Sequence, residues 1–233
     1  MDVQITGKGH ALIVALHGIQ GTRAVWAPLA QRLSEAATFV LPNLRGRGRA
    51  PRGEGMADYK LERFADDLAE VIHAHVGQRD FWLAGWSMGV SVALEYLGRQ
   101  GVHLPRGVVL ASGTAALRNV SWFTATEPAS LMQEIDVRER KLNLKEAADH
   151  IAVARTWTAI RDTAQWGVLP SIRCPALIVH GSADDQCPLE GAHALANGIP
   201  GSTLKVFGGG HSLPATHADA LSAVFRGFLP QKL

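Results

Sequence analysis

Short apolar runs alternate with longer amphipathic stretches along this chain of 233 residues. Continuous apolar and β-branched runs are typical of strands that are buried on both faces of a parallel sheet. Such strands are predicted at residues 11–16, 39–41, 81–84, 108–111, 176–179 and 203–207. A further short segment, residues 3–6, is predicted to pair with the strand at 11–16 as a hairpin through residues 7–9.

The stretches between these runs carry helical periodicity. Apolar residues recur at helical spacing from Leu61 to Ile72 and from Ala220 to Phe228, which predicts helices with one face toward a core. Residues 115–170 break the alternation, because they show helical rather than strand patterning. The predicted fold is α/β, a mostly parallel sheet with helices on both faces. Its core spans residues 1–114 and 171–233, and residues 115–170 form a helical cap insertion.

Composition narrows the class of protein. The 23 basic and 21 acidic residues leave a net charge of +2, which gives no sign of a nucleic-acid surface. Cys174 and Cys187 are too few for a disulfide framework or a zinc site. The first residues lack a basic start followed by a long apolar run, so we expect a cytoplasmic protein with no membrane segment.

The sequence Gly85-Trp86-Ser87-Met88-Gly89 follows a predicted strand and opens the helical stretch 90–97. The bare pattern Gly-x-Ser-x-Gly is weak evidence, but its position has a mechanical meaning. On a sharp strand-to-helix turn, residues without side chains allow close approach while the serine hydroxyl stands clear. The following helix directs free amides toward a substrate oxygen. Ser87 is therefore a candidate nucleophile.

A serine hydroxyl needs a base to remove its proton and an acid to orient that base. Among ten histidines, His211 is best placed, because it follows the last predicted strand through Gly208, Gly209 and Gly210. For the acid, Asp184 and Asp185 both lie just beyond the strand at 176–179. Position along the chain alone leaves both open.

These residues together resemble the α/β-hydrolase family over most of the chain. The similar segments are His17-Gly18, Asn43 to Gly48, the turn from Gly85 to Gly89, Gly181 to Pro188, and Gly210-His211-Ser212. The order Ser87, Asp184, His211 is the order of that fold. The Gly-x-x-Asp-x-x-x-Pro spacing of the resemblance selects Asp184 over Asp185. Two departures are Asn43, where Asp is usual, and Val90, where a second Gly is common.

The resemblance implies further roles near Ser87. The backbone amides of Ile19 and Met88 are expected to form the oxyanion hole. His17 is expected to brace its loop rather than carry a proton. The implied reaction is a two-step acyl transfer to water that needs no metal or organic cofactor, with a small-molecule ester, lactone or thioester as substrate. Cys187 is expected to be a small packed residue.

Other activities stay open on this scaffold. Lyases and cofactor-free dioxygenases of the family keep the same three residue types, whereas the family's dehalogenases and epoxide hydrolases have a carboxylate nucleophile, which Ser87 argues against. A non-catalytic binding protein usually has a broken triad. A fluorophosphonate probe would separate a working nucleophile from such a receptor.

Aromatic residues suggest an apolar substrate group. Trp86, Trp122, Phe123 and Trp157 are the candidate substrate-binding residues, although packing of the cap on the core is the favoured interpretation of each of the last three. The elbow pair Trp86-Ser87 resembles that of pimeloyl-carrier methyl ester esterases. The basic residues Arg138, Arg140, Lys141 and Lys145 are interpreted as a solvated helix face, with an acyl carrier protein or a substrate carboxylate as the alternative. The loop residues Arg45, Arg47, Arg49 and Arg52 are interpreted as surface, with a place for one of them at the mouth of the site as the alternative, since the loop follows a strand.

Overall fold

The computed structural model describes residues 1–142, 144 and 146–229. Its strands are β1 (Asp2–Thr6), β2 (Ala11–Leu16), β3 (Ala37–Asn43), β4 (Trp82–Trp86), β5 (Gly107–Ala111), β6 (Ala176–Gly181) and β7 (Thr203–Phe207). Its α-helices are α1 (Ala27–Arg32), α2 (Leu61–His75), α3 (Met88–Leu97), α4 (Pro128–Lys141), α5 (His150–Ile160), α6 (Leu189–Gly198), α7 (Leu213–Thr216) and α8 (Ala218–Phe228). Short 3₁₀ helices lie at Arg23–Trp26, Met56–Tyr59, Leu117–Asn119 and Trp166–Ser171.

One sheet with the strand order β1-β3-β2-β4-β5-β6-β7 forms the centre, and only β1 runs antiparallel to its neighbour. Apolar side chains of α2, α3 and α6, among them Phe64, Leu94 and Leu195, pack against one face. Leu29 of α1 and Phe225 of α8 pack against the other. The predicted mostly parallel sheet with helices on both faces is confirmed.

The predicted hairpin between residues 3–6 and β2 is wrong. β1 pairs instead with β3, in a register that places Val3 opposite Pro42. β2 is buried along its whole length and has β3 on one side and β4 on the other, so it has no free edge for β1. A Cβ on Gly7 would lie 2.2 Å from the Ala37 carbonyl oxygen, so the turn after β1 packs directly on the start of β3.

Helices, with no strand among the described residues, connect β5 to β6. The two ends of this segment are tied together by an antiparallel bridge between Ala116 and Ala164, and the Gln165 amide donates to the Ala115 carbonyl at 2.7 Å. The chain therefore leaves the sheet after β5 and returns toward β6 through two segments that are hydrogen-bonded to each other. For this reason we keep residues 115–170 as the proposed cap insertion. The boundaries of core and cap stay a prediction.

Candidate active site

Ser87 is the single residue between β4 and α3, and its backbone is strained. Its φ of 57° and ψ of −123° lie in a region that costs a residue with a side chain about 1–3 kcal/mol. Two hydrogen bonds hold this conformation: the Ser87 amide donates to the Ala111 carbonyl of β5, and its carbonyl accepts from the Val90 amide, both at 2.9 Å. The turn therefore fixes the direction of the Ser87 hydroxyl.

Glycines allow three backbone segments to converge on this serine. A Cβ on Gly85 would lie 2.4 Å from the Gly89 carbonyl oxygen, and one on Gly89 would lie 2.5 Å from the Leu16 carbonyl oxygen. A Cβ on Gly18 would lie 2.8 Å from the Trp86 ring and 3.1 Å from Ser87 Cβ. The end of β2, the end of β4 and the start of α3 therefore meet without room for side chains.

His211 lies between Ser87 and a carboxylate. Its Nε2 is 2.9 Å from Ser87 Oγ, and its Nδ1 is 2.9 Å from Asp184 Oδ2 and 3.0 Å from Asp184 Oδ1. Burial lowers the pKa of His211, although the Asp184 carboxylate opposes this shift. A neutral imidazole with Nδ1–H toward Asp184 leaves Nε2 free to accept the serine proton.

Asp184 is fixed by its own loop. Its Oδ1 accepts hydrogen bonds from the amides of Gln186 and Cys187, both at 2.9 Å. Burial would raise the pKa of this carboxyl, but the hydrogen bond and charge of His211, with the two amides, outweigh it and lower the pKa. Asp185 instead pairs with Lys141 at 2.8 Å. The structure thus places Asp184, and not Asp185, against His211.

A second imidazole, His180, lies beneath this loop, and the sequence motifs do not single it out. It is fully buried at the end of β6, with Nε2 2.8 Å from the Cys187 carbonyl oxygen and 3.4 Å from Asp184 Oδ2. A carbonyl only accepts, so Nε2 carries a proton, while Nδ1 has no hydrogen-bond partner among the described residues. The available signal was its position, directly before Gly181 and four residues before Asp184.

Cys187 is fully buried, and burial raises the pKa of its thiol. A neutral buried thiol is a packing residue rather than a nucleophile, in agreement with the sequence interpretation.

His17 braces the loop after β2. Its Nε2 accepts from the Leu44 amide at 3.0 Å, and its Nδ1 donates to the Gly18 carbonyl at 2.8 Å. Burial lowers the pKa of His17 to about 3, so the ring stays neutral. The same loop carries the Ile19 amide, and Met88 is the first residue of α3, whose amide has no carbonyl one turn earlier within the helix. These two amides remain the proposed oxyanion hole.

The surface interpretation is wrong for Arg47. This side chain is fully buried and stacks over Phe64 at 5.7 Å. Its Nε and Nη2 donate to the Ile19 carbonyl at 3.1 and 2.6 Å, and its Nη1 donates to the Arg45 carbonyl and to Thr156 Oγ1. Buried carbonyls of the loop attract the guanidinium inward, because they need donors. Arg47 therefore holds the loop that carries the Ile19 amide.

The solvated-face interpretation of α4 is wrong for Arg138, which is only 8% exposed. Its Nε donates to Gln186 Oε1 at 2.9 Å, and its Nη1 donates to Gln20 Oε1. Arg140 and Lys141 do point to solvent. Lys145 lies outside the described residues.

The four candidate substrate-binding aromatics divide into two groups. Trp122 and Phe123 each contact the ring of Trp157, with centroid distances of 5.6 and 5.8 Å. Trp86 lies apart, in the apolar cluster with α1 and α8, and its ring packs against His211 at 5.1 Å. The structure therefore brings three of them together and places the fourth behind the imidazole.

The described residues hold no group of three histidine, cysteine, aspartate or glutamate side chains arranged to bind a metal ion. None of the helices described has the length and apolar character needed to span a bilayer.

Comparisons with known proteins agree with this architecture. The model of the alpha/beta hydrolase fold family matches residues 11–165. A pimeloyl-[acyl-carrier protein] methyl ester esterase from Stenotrophomonas maltophilia is 26% identical, over 98% of this chain and 96% of its own length. The AB hydrolase superfamily protein YisY from Bacillus subtilis is 27% identical over 72% of each chain. An esterase from Exiguobacterium antarcticum, 22% identical, superposes with a TM-score of 0.77 over 97% of this chain and 94% of its own.

Proposed function

This chain belongs to the alpha/beta hydrolase fold family, and we propose that it is a serine hydrolase of small carboxylic esters, lactones or thioesters. The observation that carries the proposal is the continuous hydrogen-bonded line from Ser87 through His211 to Asp184. The esterase name of the relative from Stenotrophomonas maltophilia supports an ester as the reacting group.

In the proposed first step, Ser87 Oγ attacks the substrate carbonyl carbon while His211 Nε2 accepts the hydroxyl proton. Asp184 stabilises the resulting imidazolium and holds the ring orientation. The amides of Ile19 and Met88 donate to the oxyanion of the tetrahedral intermediate. His211 then protonates the leaving alcohol, thiol or ring oxygen, which leaves an acyl group on Ser87.

In the second step, water attacks the acyl carbon and gives its proton to His211. Collapse of the second intermediate returns the proton to Ser87 Oγ and releases the carboxylic acid. The burial of Ser87 and His211, 2% and 5% exposed, supports strong electrostatic interactions at the reacting atoms.

The proposal is tested by measuring hydrolysis rates on a panel of p-nitrophenyl esters of increasing acyl length, lactones and acyl thioesters. Ser87→Ala should lower kcat by at least about a thousandfold, since the nucleophile is lost. Ser91→Ala is the matched control, because this buried α3 serine has a hydroxyl without a partner among the described residues. Equal rates for Ser87→Ala and the unchanged protein would show that the assignment is wrong.

A further inference from the structure

A cavity of about 520 Å³ lies between α4 and the loop after β6. Its walls include the rings of Trp122 and Phe123, the side chain of Arg138, and Gln186. Gln186 links the cavity to the proposed active site, because its amide donates to Asp184 Oδ1 at 2.9 Å. The cavity therefore adjoins the loop that holds the acid.

Arg138 brings a buried positive charge to this cavity, and no carboxylate of the described residues forms an ion pair with it. Its hydrogen-bond acceptors, Gln20 Oε1 and Gln186 Oε1, are both neutral amide oxygens, and its guanidinium lies 5.4 Å from the Phe123 ring centre. Burial lowers the pKa of Arg138 to about 10, so the group stays cationic at neutral pH. The charges of Asp184 and Asp185 offset part of the desolvation cost of this cation, but no described carboxylate accepts a hydrogen bond from it, so part of that cost remains.

The donors of Arg138 are also incompletely used. Its Nη2 makes no hydrogen bond to any described residue, whereas all three nitrogens of the buried Arg47 donate to protein oxygens. Arg47 is thus satisfied by the loops around it. Arg138 keeps both N–H groups of Nη2 unused and lines an open volume.

Other charges around the cavity are already engaged. Lys141 pairs with Asp185 at 2.8 Å. Glu134 accepts from Thr124 Oγ1 at 2.6 Å and from the amides of Thr124 and Ala125 at 2.7 and 3.1 Å. Among the described residues that line the cavity, Arg138 is therefore the cation that has no ion pair and has N–H donors left for a ligand.

We propose that Arg138 binds a carboxylate at the far end of the substrate, so that the preferred substrates are esters whose acyl chain ends in an acid group. This inference rests on the proposed function and specifies its substrate class. A carboxylate accepts hydrogen bonds from a guanidinium and balances one positive charge, whereas a phosphate dianion would overcompensate it. The apolar walls contributed by Trp122 and Phe123 suit the carbon chain between the two ends.

The burial of Arg138 also argues for a chain end rather than a folded acidic partner. With 8% exposure, the guanidinium offers little surface to a folded partner, whereas an extended chain in the cavity meets it as part of the cavity wall.

The test compares matched p-nitrophenyl esters at pH 7: hexanoate to octanoate against the monoesters of the diacids from adipate to suberate. Each pair differs only in a terminal methyl or carboxylate. We expect a higher kcat/KM for the acidic member of at least one pair. In Arg138→Gln, the kcat/KM for the acidic esters should fall by about tenfold to a hundredfold, mainly through a higher KM, and the preference should disappear. Arg138→Lys should recover part of it. Arg140→Gln, which removes an exposed charge from the same helix, is the control and should keep the preference.

A Ser87-dependent hydrolysis with no preference for acidic esters overturns this inference and leaves the proposed function standing. Equal losses for acidic and neutral esters in Arg138→Gln also overturn it, since Arg138 would then only hold the two loops together. Should Arg138→Gln not fold, free adipate and 1,6-hexanediol are compared as inhibitors of hexanoate ester hydrolysis. Inhibition by the diacid alone supports the proposal, and equal effects of the two contradict it.

Discussion

The indole Nε1 of Trp86 donates a 2.8 Å hydrogen bond to the backbone carbonyl of His211. Trp86 directly precedes Ser87, so one side chain connects the serine turn with the histidine loop 125 residues away. The two rings also pack at a centroid distance of 5.1 Å. The alignment of Ser87 Oγ with His211 Nε2 therefore depends on a residue beside the reacting groups.

Trp86→Phe should lower kcat by about fivefold to tenfold, because it keeps an aromatic ring against His211 but removes a hydrogen bond worth about 1 kcal/mol. KM should change little, since Trp86 packs on the α1 and α8 side of the sheet. Steady-state kinetics check this. A change in KM alone would instead assign Trp86 to substrate binding.

Arg47→Leu should destabilise the fold by about 2–4 kcal/mol, because the Ile19 carbonyl would lose two buried donors. It should also lower kcat, since the loop of the proposed oxyanion hole would no longer be held. Arg49→Gln is the matched control, a change at an exposed arginine of the same loop. Urea unfolding and kcat measured on both variants decide the matter, and equal values for the two would contradict the role given to Arg47.

In a plot of kcat/KM against pH, the midpoint of the acidic limb should lie below 6.5, the ordinary pKa of histidine. Burial lowers the pKa of His211, and only the neutral ring accepts the Ser87 proton, so activity is lost as pH falls through the lowered value. Asp184→Asn should shift this limb to still lower pH, because the carboxylate that opposes the shift is gone. It should also lower kcat by up to about ten thousandfold. Profiles of kcat/KM against pH test both statements, and a limb above 6.5 would contradict the first.

His180→Leu should lower both stability and kcat. The Cys187 carbonyl would lose its hydrogen-bond donor, and Asp184 would lose a polar neighbour. The expected loss of unfolding free energy is about 1–3 kcal/mol, the cost of an unsatisfied buried group. His180→Gln places an amide donor near the Nε2 position and should recover part of kcat. Equal kcat for all three proteins would mean that His180 does not position Asp184.

Much of the sheet and of the candidate active site is predictable from the sequence, because the sequence shows where the buried strands end. Apolar runs mark the buried strands, and Ser87, Asp184 and His211 each follow one, at the edge where parallel strands place their carboxyl ends. The partner of β1 was not predictable, because it depends on which strand edges remain free after β2 pairs on both sides.

The burial of charged and polar side chains is the second feature that the sequence patterns did not predict. Arg47 and Arg138 lie in segments whose local patterns are polar. Their burial depends mainly on oxygens that are distant in the sequence, the carbonyl of Ile19 and the side-chain amides of Gln20 and Gln186. His180 lies at the end of an apolar strand, and its spacing from Gly181 and Asp184 is the one local hint of a polar partner. Such contacts depend on tertiary packing rather than on periodicity.

The most direct test of the central claim is mass spectrometry of the protein after reaction with a fluorophosphonate. The account predicts one adduct per chain, located on Ser87, with labelling abolished in Ser87→Ala and strongly slowed in His211→Ala. Asp185→Asn should label at the normal rate, because Asp185 faces Lys141 and not His211. An unlabelled protein, or an adduct on another residue, would contradict the assignment of Ser87 as the nucleophile.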